Sequence, residues 1–184
     1  MKFRALAVTA LAGTLAFSLS GAEAGGPPVM DGKKVTVLTQ TVAGGLQQHM
    51  NDISFDATVC PATRCAILPF IYRPAKGIKG DKATLLFTAT WGTPLSDLDL
   101  SIVEVAKNGD GTVVAKCGGG NGSMERAYLD ATQLHVGTQY RMVVDFWRSV
   151  NETVTEKVEM GVANPIKTTV PAAVDGKQPV NCTQ

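Results

Sequence analysis

Apolar and polar residues alternate with a period of two along most of the chain after residue 25, and helical periodicity is hard to find there. In the segment 84–91, every second residue from Leu85 to Trp91 is apolar and shares one face, and Thr84, Thr88 and Thr90 lie on the other. The segment 139–147 alternates in the same way. The pattern predicts about eight or nine short strands, because these segments are rich in β-branched and aromatic residues. The other candidates are 34–42, 53–59, 66–72, 97–105, 112–116, 124–131 and 152–162.

Short runs rich in glycine, proline, asparagine and aspartate separate these segments, among them "KGIKGDK", "WGTPLSD", "GGGNGS" and "HVGTQ". The run "NGDG" at 108–111 predicts a hairpin, because asparagine and glycine tolerate positive φ. The stretch 43–52 predicts a loop or one helical turn. Regular short strands with such turns predict an all-β fold, an antiparallel β-sandwich that is jelly-roll-like.

The first 24 residues have the form of a secretory signal peptide. Lys2 and Arg4 precede an apolar run, and a small-x-small triplet ends at Ala24. Cleavage after Ala24 predicts a secreted or periplasmic protein. We expect residues 25–33 to form a loose N-terminal arm and residues 34–184 a single sandwich domain with an irregular C-terminal tail.

The charge balance and hydropathy exclude two classes of partner. The predicted leader holds two of the 17 basic and one of the 16 acidic residues, so the rest of the chain is formally neutral. A neutral chain without a basic stripe is not suited to neutralising phosphates, and we therefore expect no nucleic-acid partner. No second long apolar run follows the leader, which predicts no membrane insertion.

All four cysteines follow the predicted leader, and an even count in an exported chain favours disulfide bonds over zinc ligation. Three pairings are open. We favour Cys60–Cys65, which closes the small loop "CPATRC", together with Cys117–Cys182, which ties the C-terminal tail to the body of the domain.

The run "TPLSDLDLSI" places Asp97 and Asp99 on the same face of a predicted strand. In the first interpretation the aspartates face water, while leucines between them face the core. In the second they bind calcium, with Asp110, Asn108 or loop carbonyls as further oxygen ligands. In the third they are a catalytic carboxylate pair of a small glycosidase-like hydrolase.

Other catalytic signatures are missing from the sequence. It contains neither HExxH nor GxSxG, and its two histidines, His49 and His135, are far apart in the chain. We therefore assign no catalytic residue and predict a protein that is not an enzyme. Calcium is the one cofactor that the acidic residues suggest.

The order of motifs between residues 84 and 147 resembles the bacterial pre-peptidase C-terminal domain. An alternating strand is followed by "DLDL" at 97–100, "GSME" at 122–125 and "GTQY" at 137–140. The resemblance implies a β-sandwich that acts as a non-catalytic binding module, and related collagen-binding modules use calcium. The segments 33–80 and beyond 165 lie outside it, and no peptidase domain precedes the module.

Together these observations predict an exported, non-catalytic β-sandwich that binds a cell-surface polymer or an extracellular protein and that calcium stabilises. The alternative is a structural protein that self-assembles in a surface layer or filament. In that case the N-terminal arm or the C-terminal tail would add a strand to the sheet edge of another copy. A small hydrolase is the lesser alternative.

Overall fold

The computed structural model describes residues 26–43, 46–48, 56–118, 122–166 and 181–183, and for 46–48, 150 and 181–183 it describes the backbone alone. These residues form strands and two short 3-10 helices, which confirms the all-β prediction. None of the helices in the described ranges has the length and apolar content needed to cross a bilayer. The predicted signal peptide lies outside these ranges.

Eleven strands are present in the described residues, and eight of them have six residues or more. They are β1 Val29–Met30, β2 Val37–Ala43, β3 Leu46–Gln48, β4 Cys65–Tyr72, β5 Leu85–Thr90, β6 Asp97–Val105, β7 Gly111–Cys117, β8 Met124–Leu129, β9 Thr138–Val150, β10 Thr153–Met160 and β11 Asn181–Thr183. The 3-10 helices are Ala57–Val59 and Gly80–Ala83.

The strands form two sheets. The six-stranded sheet has the order β1-β4-β9-β6-β7, with β3 also paired to β9, and the five-stranded sheet has the order β11-β8-β5-β10-β2. All pairs are antiparallel except β1 with β4. From β4 to β10 the chain changes sheet between consecutive strands except in the β6–β7 hairpin, which is the jelly-roll-like feature of the sandwich.

The core lies between the sheets, where the inward-facing residues of both meet. Phe70 and Tyr140 of the six-stranded sheet stack at a centroid distance of 5.8 Å, and Phe87 of the other sheet lies 6.0 Å from Phe70. The hydroxyl of Tyr72 satisfies its hydrogen-bonding capacity by donating to the carbonyl of Ala83 at 2.7 Å. The alternation seen in the sequence is therefore the alternation between this core and the outer faces.

The predicted hairpin at 108–111 is confirmed. The turn between β6 and β7 is closed by hydrogen bonds from the Gly109 and Ala106 amides, and Gly109 has φ 92°. Every predicted strand coincides with an observed strand except 53–59, and the stretch 43–52, predicted as a loop or helical turn, contains β3.

The prediction of a strand at 53–59 is wrong for the part that the structure describes. Residues 57–59 form a 3-10 helix, because the Asp56 carboxylate accepts a hydrogen bond from the Thr58 amide at 2.8 Å and starts a turn. This segment covers the outer face of the six-stranded sheet. There Ala57 and Cys60 pack with Val103 and Val143 in a second, smaller core.

The predicted loose arm at 25–33 is also different in the structure. Residues 29–30 form β1, which pairs in parallel with β4, and Met30 is fully buried. Asp31 then orders the following turn, because its carboxylate accepts hydrogen bonds from the amides of Lys33, Lys34 and Val35. Residues 29–35 are thus ordered by the β1 pairing and by the turn at Asp31.

Candidate functional site

Asp97 and Asp99 lie at the start of β6, where both are half-buried. Leu98 and Leu100 between and beside them are fully buried in the core, as the first interpretation of this stretch requires. In the neighbouring strand β9, Asp97 lies opposite Arg148 and Asp99 lies opposite Asp145, with a shift of register between the two pairs. The spacing of the aspartates therefore follows from the burial of the leucines.

Glu125 of β8 adds a third carboxylate to this end of the sandwich. Its side chain is 3 % exposed, and one carboxylate oxygen accepts a hydrogen bond from the backbone amide of Leu100 at 2.7 Å. Burial raises the pKa of Glu125 to about 8; the Leu100 hydrogen bond opposes this rise, and the charges of Asp99 and Asp97 add to it. We call Asp97, Asp99 and Glu125 the acidic cluster.

Gly118, the first residue after β7, gives Asp99 its position. A Cβ atom at residue 118 would lie 2.2 Å from Oδ1 of Asp99, so the carboxylate occupies the space that a side chain would fill. Any larger residue at 118 would push the carboxylate away. This close approach gives one glycine of the "CGGGNGS" run a specific steric reason.

Asp110 does not join the acidic cluster, and its place in the predicted calcium set is corrected. It is exposed in the β6–β7 turn, where its carboxylate accepts a hydrogen bond from the side-chain amide of Asn108 at 2.5 Å. Val105 at the turn lies six residue steps along β6 from Asp99, a span of about 20 Å. One cation cannot contact both ends of this strand.

The predicted disulfide Cys60–Cys65 is confirmed, with a Cα–Cα distance of 6.1 Å. It lies beside Asp145, which is fully buried and accepts two hydrogen bonds from the Arg64 guanidinium, at 3.0 and 3.2 Å. The two sulfurs and a carboxylate oxygen of Asp145 lie within 4.8 Å of one another. Sulfurs joined in a disulfide are not thiolates, so this group holds the fold together and is unsuited to a metal ion.

The pairing of Cys117 with Cys182 stays a prediction, because the side chain of Cys182 lies outside the described part of the chain. The backbone is compatible with it. Cys182 in β11 lies opposite Ala127 in β8, and the sulfur of Cys117 lies 3.4 Å from the carbonyl of the adjacent Arg126. Peptide mapping without reductant tests the pairing.

His135 is the one histidine among the described residues, since His49 lies outside them. Its Nδ1 atom lies 2.9 Å from a carboxylate oxygen of Glu104, which also accepts a hydrogen bond from the buried hydroxyl of Tyr140. The two partners of Glu104 are thus an imidazole and a phenol, and neither is the serine or cysteine nucleophile that a catalytic histidine would activate. The arrangement is an exposed histidine–carboxylate contact at a loop, and a nucleophile–base pair is not formed there.

A third feature is the outer face of the five-stranded sheet. Three neighbouring strands, β2, β10 and β5, each carry two threonines separated by one residue, and all six side chains point away from the core. We call these six residues the threonine face: Thr39, Thr41, Thr88, Thr90, Thr153 and Thr155. The sequence contains the signal as "TQT", "TAT" and "TVT", but strand order is needed to place them side by side.

The register of the strands aligns the threonine face in rows. Thr41, Thr155 and Thr90 lie opposite one another, and the next row places Lys157 between Thr39 and Thr88. The hydroxyl oxygens of Thr41 and Thr155 are 3.3 Å apart. Lys157 is ion-paired with Glu159 at 2.8 Å, which leaves the face close to neutral.

No protein-family model matches this chain, and no curated protein matches it.

Proposed function

We propose that the protein is an exported, non-catalytic binding module that uses the threonine face to bind a cell-surface polysaccharide. The observation that carries the proposal is the alignment of threonine hydroxyls on three adjacent strands. Export is supported by the Cys60–Cys65 disulfide, because such bonds persist in oxidising compartments.

The chemistry of the threonine face suits a polyhydroxyl ligand. Each threonine hydroxyl both donates and accepts a hydrogen bond, as sugar hydroxyls do. The sheet fixes the hydroxyls at spacings of about 4.8 Å between strands and about 6.6 Å along them. β-branched side chains lose little rotamer freedom on binding, which lowers the entropic cost of holding a polymer.

The test is retention of the processed protein on insoluble cell-wall polysaccharides, compared between wild type and the Thr88→Ala/Thr90→Ala variant. We expect retention to weaken at least about tenfold, since each lost hydrogen bond contributes about 1 kcal/mol. Thr112→Ala, an exposed threonine on β7 of the other sheet, is the matched control and should bind as wild type does. Retention that is equal in both variants, or binding to an extracellular protein alone, contradicts the proposal.

Calcium stabilisation of this module is a second part of the proposal, and it rests on the acidic cluster. Asp99, Asp97 and the buried Glu125 repel one another when all are ionised, and a divalent cation between them would offset that repulsion. The carboxylates would supply the charge and the first oxygen ligands of such an ion.

The test compares the thermal midpoint in chelator with that in millimolar calcium. We expect calcium to raise the midpoint of wild type and of Asp110→Asn, and to leave that of Asp99→Asn unchanged. An unchanged wild-type midpoint contradicts the calcium part and leaves the polysaccharide part standing. Hydrolase activity that disappears in Asp97→Asn while the fold is retained would contradict the non-catalytic assignment.

A further inference from the structure

We propose that β2 is a homotypic interface, along which two copies of this chain pair antiparallel about a two-fold axis at Gln40. The five-stranded sheets of the two copies would join into one sheet of ten strands. The occupant of this edge is therefore a second copy of the same chain, and the inference does not depend on polysaccharide or calcium binding.

Within the described residues, β2 is the long edge strand that lacks the usual protection against pairing. It has seven residues without a charge, a proline or a shift of register against β10, its neighbour on one side. Edge strands of soluble proteins normally carry one of these devices. An edge of this kind offers a row of backbone donors and acceptors to another strand.

The other described edges carry such devices. β1 has two residues and follows two prolines, and β11 has three residues. β7 has the 3-10 helix Ala57–Val59 packed against its first residue: a Cβ at Gly111 would lie 2.8 Å from Cβ of Thr58. The contrast singles out β2 as the edge that fits an additional strand.

The sequence of β2, "VLTQTVA", is nearly palindromic. Antiparallel pairing centred on Gln40 places Thr39 opposite Thr41 of the second copy. By the same register Leu38 faces Val42 and Val37 faces Ala43. Each position then meets a residue of its own chemical kind on the same face, which is the self-complementarity that a two-fold interface requires.

The side chains of β2 suit such pairing on the outer face and are held in place on the inner face. Thr41 already forms a cross-strand threonine pair with Thr155, with the hydroxyl oxygens 3.3 Å apart. Val37 is 46 % exposed, and a partner strand would cover part of that apolar surface. The inner face is fixed by the hydrogen bond from the Gln40 side chain to the buried carboxylate of Glu156. The edge is therefore ordered before a second copy arrives.

The test is sedimentation velocity of the processed protein over a concentration series. Wild type should show a concentration-dependent dimer. Thr39→Lys/Thr41→Lys should sediment as a monomer, with dimerisation weakened at least about tenfold, because each lysine faces a lysine of the second copy. Thr88→Lys/Thr90→Lys is the matched control: it makes the same change on the same sheet face, also beside Lys157, but on an inner strand, and should dimerise as wild type does.

Charge reversal guards against variants that merely fail to fold. Thr39→Glu/Thr41→Glu alone should also be monomeric, whereas a mixture of the lysine and glutamate variants should form a one-to-one dimer. Recovery of the dimer in the mixture supports the β2 register. A monomeric wild type at all concentrations, a dimer that persists in the lysine variant, or a mixture that stays monomeric overturns the proposal.

Discussion

Glu125 offers the sharpest test of the acidic cluster, because its carboxylate is buried beside two aspartates. Burial raises its pKa to about 8 in the folded protein, against an ordinary value of 4.5. Between these two pH values the folded state holds a proton that the unfolded state has released. Stability contributed by this group is therefore present below about pH 4.5 and is lost as the pH rises through about 8.

The magnitude follows from the same two values. Between pH 6 and pH 9 the titration of Glu125 costs about 3 kcal/mol of unfolding free energy. For a domain of this size that loss lowers the thermal midpoint by roughly 10 °C. Glu125→Gln removes the titration but keeps a side-chain oxygen that accepts the hydrogen bond from the Leu100 amide.

The assay is thermal unfolding of wild type and Glu125→Gln in chelator at pH 6 and pH 9. We expect the midpoint difference between Glu125→Gln and wild type to grow by roughly 10 °C in favour of the variant from pH 6 to pH 9, because only wild type titrates over that range. Asp110→Asn, which changes an exposed carboxylate in a turn, should follow wild type at both pH values. A difference between Glu125→Gln and wild type that is the same at pH 6 and pH 9 would refute the reasoning.

Two further substitutions test the contacts around this region. Arg64→Ala leaves the fully buried Asp145 without its bidentate partner and should lower the free energy of unfolding in urea by about 3–5 kcal/mol. Much of that loss should return when Asp145 is also replaced by leucine, and equal losses in the single and double variants would contradict this. Gly118→Ala should lower the free energy of unfolding by about 1–3 kcal/mol, because it displaces the carboxylate of Asp99, and it should cost clearly less in an Asp99→Ala background. Identical costs in the two backgrounds would show that Asp99 does not fill this space.

Most strands could be predicted from the sequence because both sheets bury one face, which imposes a period of two. The segment 53–59 shows where that reasoning fails. In the part that the structure describes, Ala57 packs on the outside of the six-stranded sheet and Val59 is exposed, so the alternation there does not reflect a strand. Alternation alone places Asp145 on the outward-facing side of its strand, although it is fully buried and accepts hydrogen bonds from Arg64 of the segment 56–64. Coverage by a distant segment leaves no local signal in the sequence.

The acidic cluster could be predicted only in part. Asp97 and Asp99 stand out by their spacing, but Asp110 is close to them only in sequence, because a nine-residue strand carries the chain away. Glu125 has a signal of its own. It shares the parity of Ala127 and Leu129, so it is a charged residue on the apolar face of a strand. A glutamate at such a position in an alternating strand indicates a buried carboxylate.

Glu156 has the same signature, and it links the core to the β2 edge. It lies between Val154 and Val158 on the inner face of β10, and one carboxylate oxygen accepts a hydrogen bond from Gln40. The other oxygen is buried without a partner among the described residues. Burial raises the pKa of Glu156 to about 8, and the Gln40 hydrogen bond opposes this rise. Above that pH the buried carboxylate of Glu156 is charged beside β2, so the pairing of β2 with β10 should be the first part of the sheet to weaken.

Hydrogen exchange at the amides of residues 37–43, corrected for the intrinsic pH dependence of exchange, measures this directly. Between pH 6 and pH 9 the free energy of local opening should fall by about 3 kcal/mol in wild type, since the open state releases the proton near the ordinary glutamate value. Glu156→Gln cannot ionise and should keep its protection in β2 across that range. Equal losses in wild type and variant would place the weak point elsewhere. A loss confined to wild type would mean that the buried glutamate controls the strand on which pairing of two copies depends.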